Sequence, residues 1–234
     1  MPLVTLTSDF GYQDHYAAVV KARVLQYCPN ATIVDISHGI EPFNIAQGVL
    51  HALKAAYPVF PPDSVHIFAV QGSQAVDKHI AFRWKGHYFV GSDNGFAGLL
   101  AEADIEQCVE IKATFGQAAT FLAQILYAPA AAKLAQEISL QEIGHPAPIP
   151  QKLIARQPRV TEKQIIGHVI SVDHYGNLVT SITKETFTQQ RRTRRFEIRF
   201  ARESIYNLHT HYTQVEPGDC VCVFNSPVIV RNCY

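Results

Sequence analysis

Leu3-Val4-Thr5-Leu6-Thr7-Ser8-Asp9-Phe10-Gly11 opens the chain, and Tyr16, Val19, Val20, Val24 and Tyr27 follow it at helical spacing. The first five residues are β-rich, Ser-Asp-Phe-Gly is turn chemistry, and the apolar period then changes from two to 3.6. A strand therefore hands over to a helix. The same alternation continues downstream. Residues 31–36 read as a second strand, and Ile45, Val49, Leu53 and Ala56 share one helical face that Pro58, Pro61 and Pro62 terminate. Residues 65–70 read as a third strand, and 80–84 and 88–90 as a pair joined through Lys85-Gly86. Strands alternating with helices of this length predict an α/β domain on a largely parallel sheet.

The pattern changes at Gly144-His145-Pro146-Ala147-Pro148-Ile149-Pro150, which reads as a linker. It divides the chain into an N-terminal α/β domain over 1–147 and a C-terminal domain over 148–234. The second part is nearly all strand, at 165–172, 178–182, 196–200 and 220–224, with turns at Tyr175-Gly176-Asn177 and Glu216-Pro217-Gly218-Asp219. A small β-barrel-like domain fits that pattern. Arg191, Arg192, Arg194 and Arg195 form the densest basic run and read as a solvated hairpin tip. They lack the interleaved aromatics that stack bases.

Lys plus Arg and Asp plus Glu both number 20, so no basic footprint for nucleic acid is expected. No apolar run reaches membrane-spanning length. The N-terminus lacks the basic and long apolar segments of a signal peptide, and the expected compartment is the cytoplasm. Cys220 and Cys222 project from one side of a strand, but no second Cys or His pair stands at zinc spacing. They read as small core residues, and no metal or cofactor is expected. No Gly-x-Gly-x-x-Gly follows the first strand, and there is no P-loop, His-Glu-x-x-His or Gly-x-Ser-x-Gly.

Four segments carry polar chemistry. Asp9, with Asp14 after it, sits where the first strand ends, and open α/β sheets bind ligands at the carboxyl ends of their strands. A carboxylate there accepts two hydrogen bonds from a ribose diol, and a second one holds an ammonium group. Both residues would equally cap the following helix. Asp173-His174-Tyr175-Gly176-Asn177 offers a stacking ring and an amide that can pair with an adenine edge, although Gly-Asn is also ordinary turn chemistry. Ser92-Asp93-Asn94-Gly95-Phe96 and Phe224-Asn225-Ser226 follow strands and read both as turns and as ligand contacts.

The segments VTLTSDFGYQDHY, ATIVDISHGIEPFNIAQG, HYFVGSDNGF, YAPAAAKLA, VISVDHYGNLVTSI and VFNS occur in that order between residue 4 and residue 226. Together they resemble the S-adenosyl-L-methionine hydroxide adenosyltransferase family, relatives of the fluorinases and chlorinases. The resemblance implies an N-terminal α/β domain, a C-terminal β domain, and a homotrimer with adenosyl sites between subunits. It implies that water attacks the ribose C5′ of S-adenosyl-L-methionine, giving adenosine and L-methionine. It places Asp9 on the ribose hydroxyls, Asp14 near the methionine amino group and Phe43 beside the nucleoside. Asp173 would contact the methionine end, Asn177 would read adenine, and Ser226 would hold the amino-acid carboxylate.

Three positions depart from the hydrolytic members. Gln71 stands where they carry an Asp, Lys78 where they carry an Arg, and Leu122 where they carry a His. Gln71 cannot take a proton at neutral pH, Leu122 offers no hydrogen bond, and Lys78 keeps charge without bidentate geometry. Asp77 and His79 are local substitutes, although His79 also reads as the first residue of the next strand. The chain is thus either a hydrolase or an adenosyl-binding homologue with slow or no turnover.

Overall fold

The computed structural model describes residues 1–72, 78–101, 105–112, 120–150, 157–200, 203–216, 218–225 and 228–233, with backbone alone at 51, 225 and 228–233. Chain contacts divide it into two compact units, Met1–Ile154 and Ala155–Tyr234.

The first unit is built on β1 (Leu3–Ser8), β2 (Thr32–Ser37), β3 (Val65–Ala69), β4 (His79–Trp84), β5 (His87–Ser92), β6 (Gln107–Ile111) and β7 (Gly144–Pro146). They form one seven-stranded sheet in the order β2-β1-β3-β5-β4-β6-β7. The first four in that order are parallel, and the last three pair antiparallel. β3 is buried at every position, as a central parallel strand covered on both faces must be. Val65, Ile67 and Ala69 join a cluster with Val20 and Val24 of α1 (Tyr16–Tyr27). Phe68 joins the opposite cluster with Val49, Leu53 and Phe96. The α/β reading therefore holds, with apolar layers on both faces.

The β4–β5 pair turns at Lys85 and Gly86, both at positive φ (48° and 74°), the backbone a tight hairpin turn requires. The helix over 45–56 contains a π-helical segment, Gly48–Leu53, which its apolar spacing did not announce. Gly144–Pro146 corrects the linker reading at its first residues. These pair with β6 as the edge strand, where proline costs no ladder bond, and a Cβ on Gly144 would lie 2.4 Å from the Glu110 carbonyl.

The second unit contains β8 (Arg159–Val160), β9 (Ile165–Ile166), β10 (Val169–Val172), β11 (Leu178–Thr183), β12 (Ile198–Phe200), β13 (Glu203–Ile205), β14 (Cys220–Asn225) and β15 (Val228–Cys233). Its main sheet runs β10-β11-β15-β14, antiparallel throughout, over a small core of Val179, Val221 and Val223. The strand expected over 165–172 is interrupted at 167–168, because Ile165–Ile166 pairs with β8 and Val169–Val172 with β11, and a Cβ on Gly167 would lie 2.5 Å from Ile182. The arginine run is not a hairpin tip. A helix, Lys184–Arg191, capped by Thr183, ends there, and Arg192 turns out at φ 50°. Arg191 lies 4.7 Å over the Phe196 ring, and Arg194 donates to the Glu162 carbonyl at 2.7 Å. Cations suit a helix C-terminus. Among the described residues no helix is long and apolar enough to cross a membrane.

A buried histidine pair lies within the first unit. Thr5 Oγ1 and His66 Nδ1 are 2.7 Å apart, and His66 Nε2 and His87 Nδ1 are 3.1 Å apart. Burial, helped by the neighbouring His87, pushes His66 from its ordinary 6.5 down to about 3, and burial also lowers His87. Below pH 6.5 the unfolded chain binds protons that the native state refuses. Stability is therefore complete above pH 6.5, falls as pH drops below it, and levels off near pH 3 for His66. Denaturant titrations between pH 7 and 4 are expected to show a slope approaching about 1.4 kcal/mol per pH unit from this residue. His66→Gln should flatten that slope, and an unchanged slope would remove His66 as its source.

Candidate functional site

The carboxyl ends of β1, β3 and β5 lie side by side, because Ser8 pairs with Ala69 and Phe68 with Gly91. The loops that follow them are anchored separately. After β1, the Ser8 Oγ lies 2.6 Å from His38 Nδ1 and accepts from the Phe10 N–H at 3.4 Å. His38 donates its N–H to the Tyr12 hydroxyl at 3.1 Å, and its carbonyl accepts from Gly11, whose φ is 73°. His38 Nε2 lies 3.2 Å from Asp35 Oδ1, an ion-pair distance without hydrogen-bond alignment, and Asp35 Oδ2 pairs with Lys21 at 2.6 Å. Ser8 is fully buried. This Ser–His–Asp row therefore fixes the loop and presents no nucleophile.

The loop so fixed carries Asp9. Its Oδ2 accepts from the Phe43 N–H at 3.0 Å and from the Gln71 N–H at 3.2 Å. Both donors sit in the left-handed region, at φ 66° and 51°. An L-residue held there costs about 1–3 kcal/mol and persists where its surroundings over-determine it. Asp9 supplies that constraint twice through one oxygen, and Oδ1 has no partner among the described residues. Phe43 is 67% exposed, so its ring is free to face a ligand. On the other side Asn94 donates to the Val70 carbonyl at 2.9 Å and accepts from Phe96 at 3.2 Å, with Gly95 at φ 97°. The Ser-Asp-Asn-Gly-Phe segment thus holds the loop after β3.

Neither Asp9 nor Asp14 caps α1. His15 occupies that position with no side-chain cap, and Asp14 is exposed, with no polar contact to the described residues. Lys78 is also exposed, and its carbonyl accepts from the Asp93 N–H at 2.9 Å. Leu122 is buried in the apolar cluster beneath α1. Asp77 and Ser226 lie outside the described residues. His79 is the first residue of β4, as its sequence context suggested, but it also contacts the Tyr127 hydroxyl, Nδ1 to Oη 2.9 Å, and Tyr127 Oη lies 2.5 Å from Ser92 Oγ. A cavity of about 690 Å³ opens at the amino end of the sheet, among Met1, Pro2, Pro61, Arg83 and Tyr88, and includes none of these residues.

In the second unit, Asp173 and Asn177 meet in one turn. Asp173 Oδ1 accepts from the Tyr175 and Asn177 N–H groups at 2.9 and 2.8 Å, and Oδ2 accepts from Asn177 Nδ2 at 2.7 Å. Gly176 at φ 82° completes the turn, and Tyr175 is 80% exposed. Asn177 is only 4% exposed, and its Oδ1 is buried without a hydrogen-bond partner.

Residues 4–144 match the SAM hydroxide adenosyltransferase N-terminal domain, and residues 167–230 match the C-terminal domain. The chain belongs to the S-adenosyl-L-methionine hydroxide adenosyltransferase family. A family relative, the (R)-S-adenosyl-L-methionine hydrolase of Methanocaldococcus jannaschii, is 33% identical over 80% of this chain and 70% of its own length. The Thermus thermophilus protein of the same name is 28% identical over 77% of this chain and 74% of its own. A fluorinase from Actinopolyspora mzabensis is 24% identical over 79% and 72%. The crystal structure of an uncharacterized conserved protein from Thermotoga maritima superposes with a TM-score of 0.85 at 27% identity, covering 99% of this chain and 92% of that one.

Asp9→Ala removes one acceptor from two strained turns. Hydrogen exchange at the Phe43 and Gln71 amides is expected to accelerate at least tenfold, with about 1–3 kcal/mol lost in global stability. Unchanged protection at both amides would show that the turns hold without Asp9.

Proposed function

We propose that this adenosyltransferase-family chain binds S-adenosyl-L-methionine and hydrolyses it to adenosine and L-methionine. The observation that carries this reading is Asp9: one carboxylate oxygen is fixed by two backbone N–H groups, and the other has no partner among the described residues. A fixed carboxylate with a free oxygen suits a ribose diol, and charge-assisted hydrogen bonds make that recognition strong. Phe43 beside it offers a ring to the nucleoside, and Asp14 offers a carboxylate to the methionine ammonium. Asp173, Asn177 and Ser226 complete the adenine and amino-acid contacts in this reading, from a neighbouring subunit of a homotrimer. The protein acts in the cytoplasm, with neither nucleic acid nor membrane as partner, and needs no cofactor. The sulfonium is a good leaving group, so holding a water in line with C5′ supplies much of the rate.

The chemistry is tested by incubating purified protein with the (R)- and (S)-sulfonium epimers in ¹⁸O-labelled water. Adenosine labelled at its 5′-hydroxyl is expected above a protein-free control, faster from the (R)-epimer and without dependence on added halide. No adenosine above control would overturn hydrolysis, and a halogenated nucleoside would favour the fluorinase-like reading. Asp9→Asn keeps an oxygen for Phe43 and Gln71 but removes the charge. Its affinity for adenosine, measured by calorimetry, should fall roughly tenfold to a hundredfold. Wild-type affinity in a folded Asp9→Asn protein would take Asp9 out of the site.

A further inference from the structure

We propose that His79, positioned by Tyr127 and Ser92, accepts the proton of the attacking water. This rests on the hydrolytic reading above and names the group that performs its proton transfer. Ser92, at the carboxyl end of β5, is 1% exposed, and Tyr127 is fully buried. Their hydroxyls are 2.5 Å apart, and the Tyr127 hydroxyl reaches His79 Nδ1 at 2.9 Å. His79 is half-buried, so the imidazole is the member of this chain of polar groups with access to the surface. Tyr127 fixes Nδ1 and thereby leaves Nε2 as the nitrogen that can meet a water.

The relay borders the Asp9 site. Gly72 lies against the Tyr127 ring, since a Cβ built on Gly72 would be 3.6 Å from Cε2 and 3.9 Å from the hydroxyl. Gly72 follows Gln71, whose N–H is held by Asp9. The rim therefore runs without a break from Asp9 through Gln71 and Gly72 to Tyr127 and His79. Tyr127 also ends a π-helical segment, Ala123–Tyr127, a local geometry that recurs at functional sites. A buried tyrosine hydroxyl needs a partner, but Ser92 already provides one. The second contact orients an imidazole.

The groups facing His79 are Tyr127 from its helix and Glu110 from β6, while Lys78 and Asp93 beside it are joined to each other through their backbones. Burial lowers the His79 pKa from its ordinary 6.5, against an opposing pull from Glu110, while burial holds the Tyr127 hydroxyl protonated. The imidazole is thus neutral at physiological pH, the form a base requires. In the step, the water oxygen bonds to C5′ and the C5′–S bond breaks with its electron pair passing to sulfur. The sulfonium becomes the thioether of L-methionine, and the water proton passes to His79 Nε2 and then to solvent.

The test compares wild type, His79→Asn, His79→Ala and Tyr127→Phe in the adenosine assay, with adenosine affinity measured in parallel. His79→Asn can still hydrogen-bond to Tyr127 but cannot accept a proton. Both His79 variants should lose about tenfold or more in kcat, with affinity within threefold of wild type, and should lose the acid limb of kcat that wild type shows below pH 6.5. Tyr127→Phe should move that limb and lower kcat less. Wild-type kcat and an unchanged limb in folded His79→Asn would overturn the proposal and leave hydrolysis standing. A wild-type protein that forms no adenosine would overturn both.

Discussion

One carboxylate oxygen holds the first unit's site together. Asp9 Oδ2 joins the turn after β1 to two loops that are distant in sequence, through the amides of Phe43 and Gln71. Each amide belongs to an L-residue in the left-handed region, a conformation the local sequence does not favour. The loops therefore take their paths because the carboxylate is there to accept from them. The carboxylate is there because β1 ends on Ser8, and Ser8 and His38 lock the following turn. The site is a consequence of strand order: β1 and β3 are neighbours, so their carboxyl ends are too.

Much of this was legible in the chain. The alternation of apolar periods gave the α/β class, and Asp9, Phe43 and Gln71 were each singled out separately. That they share an oxygen was not legible, because the contact depends on which strands pair and on two positive φ angles at residues other than glycine. The Ser92–Tyr127 contact was hidden for a similar reason. Ser92 belonged to a segment marked as a turn, and Tyr127 to a segment, YAPAAAKLA, marked only by its family resemblance, and nothing in either predicts a hydroxyl pair 35 positions apart.

The misread segments have physical causes as well. Gly144 and Pro146 looked like a linker because proline usually ends regular structure, but an edge strand needs only one ladder of hydrogen bonds. The arginine run looked like a hairpin tip because the short helix before it is polar, with Phe187 its one buried residue. Asp173 and Asn177 were read both as ligand contacts and as a turn, and the turn is there, with both oxygens of Asp173 engaged inside it.

The central claim is that Asp9 divides its oxygens between scaffold and ligand. A crystal of the protein soaked with adenosine tests it directly. The expected electron density places the ribose hydroxyls within hydrogen-bond distance of Asp9 Oδ1, while Oδ2 still accepts from Phe43 and Gln71. Adenosine bound elsewhere, or bound with Asp9 turned away from both amides, would contradict it.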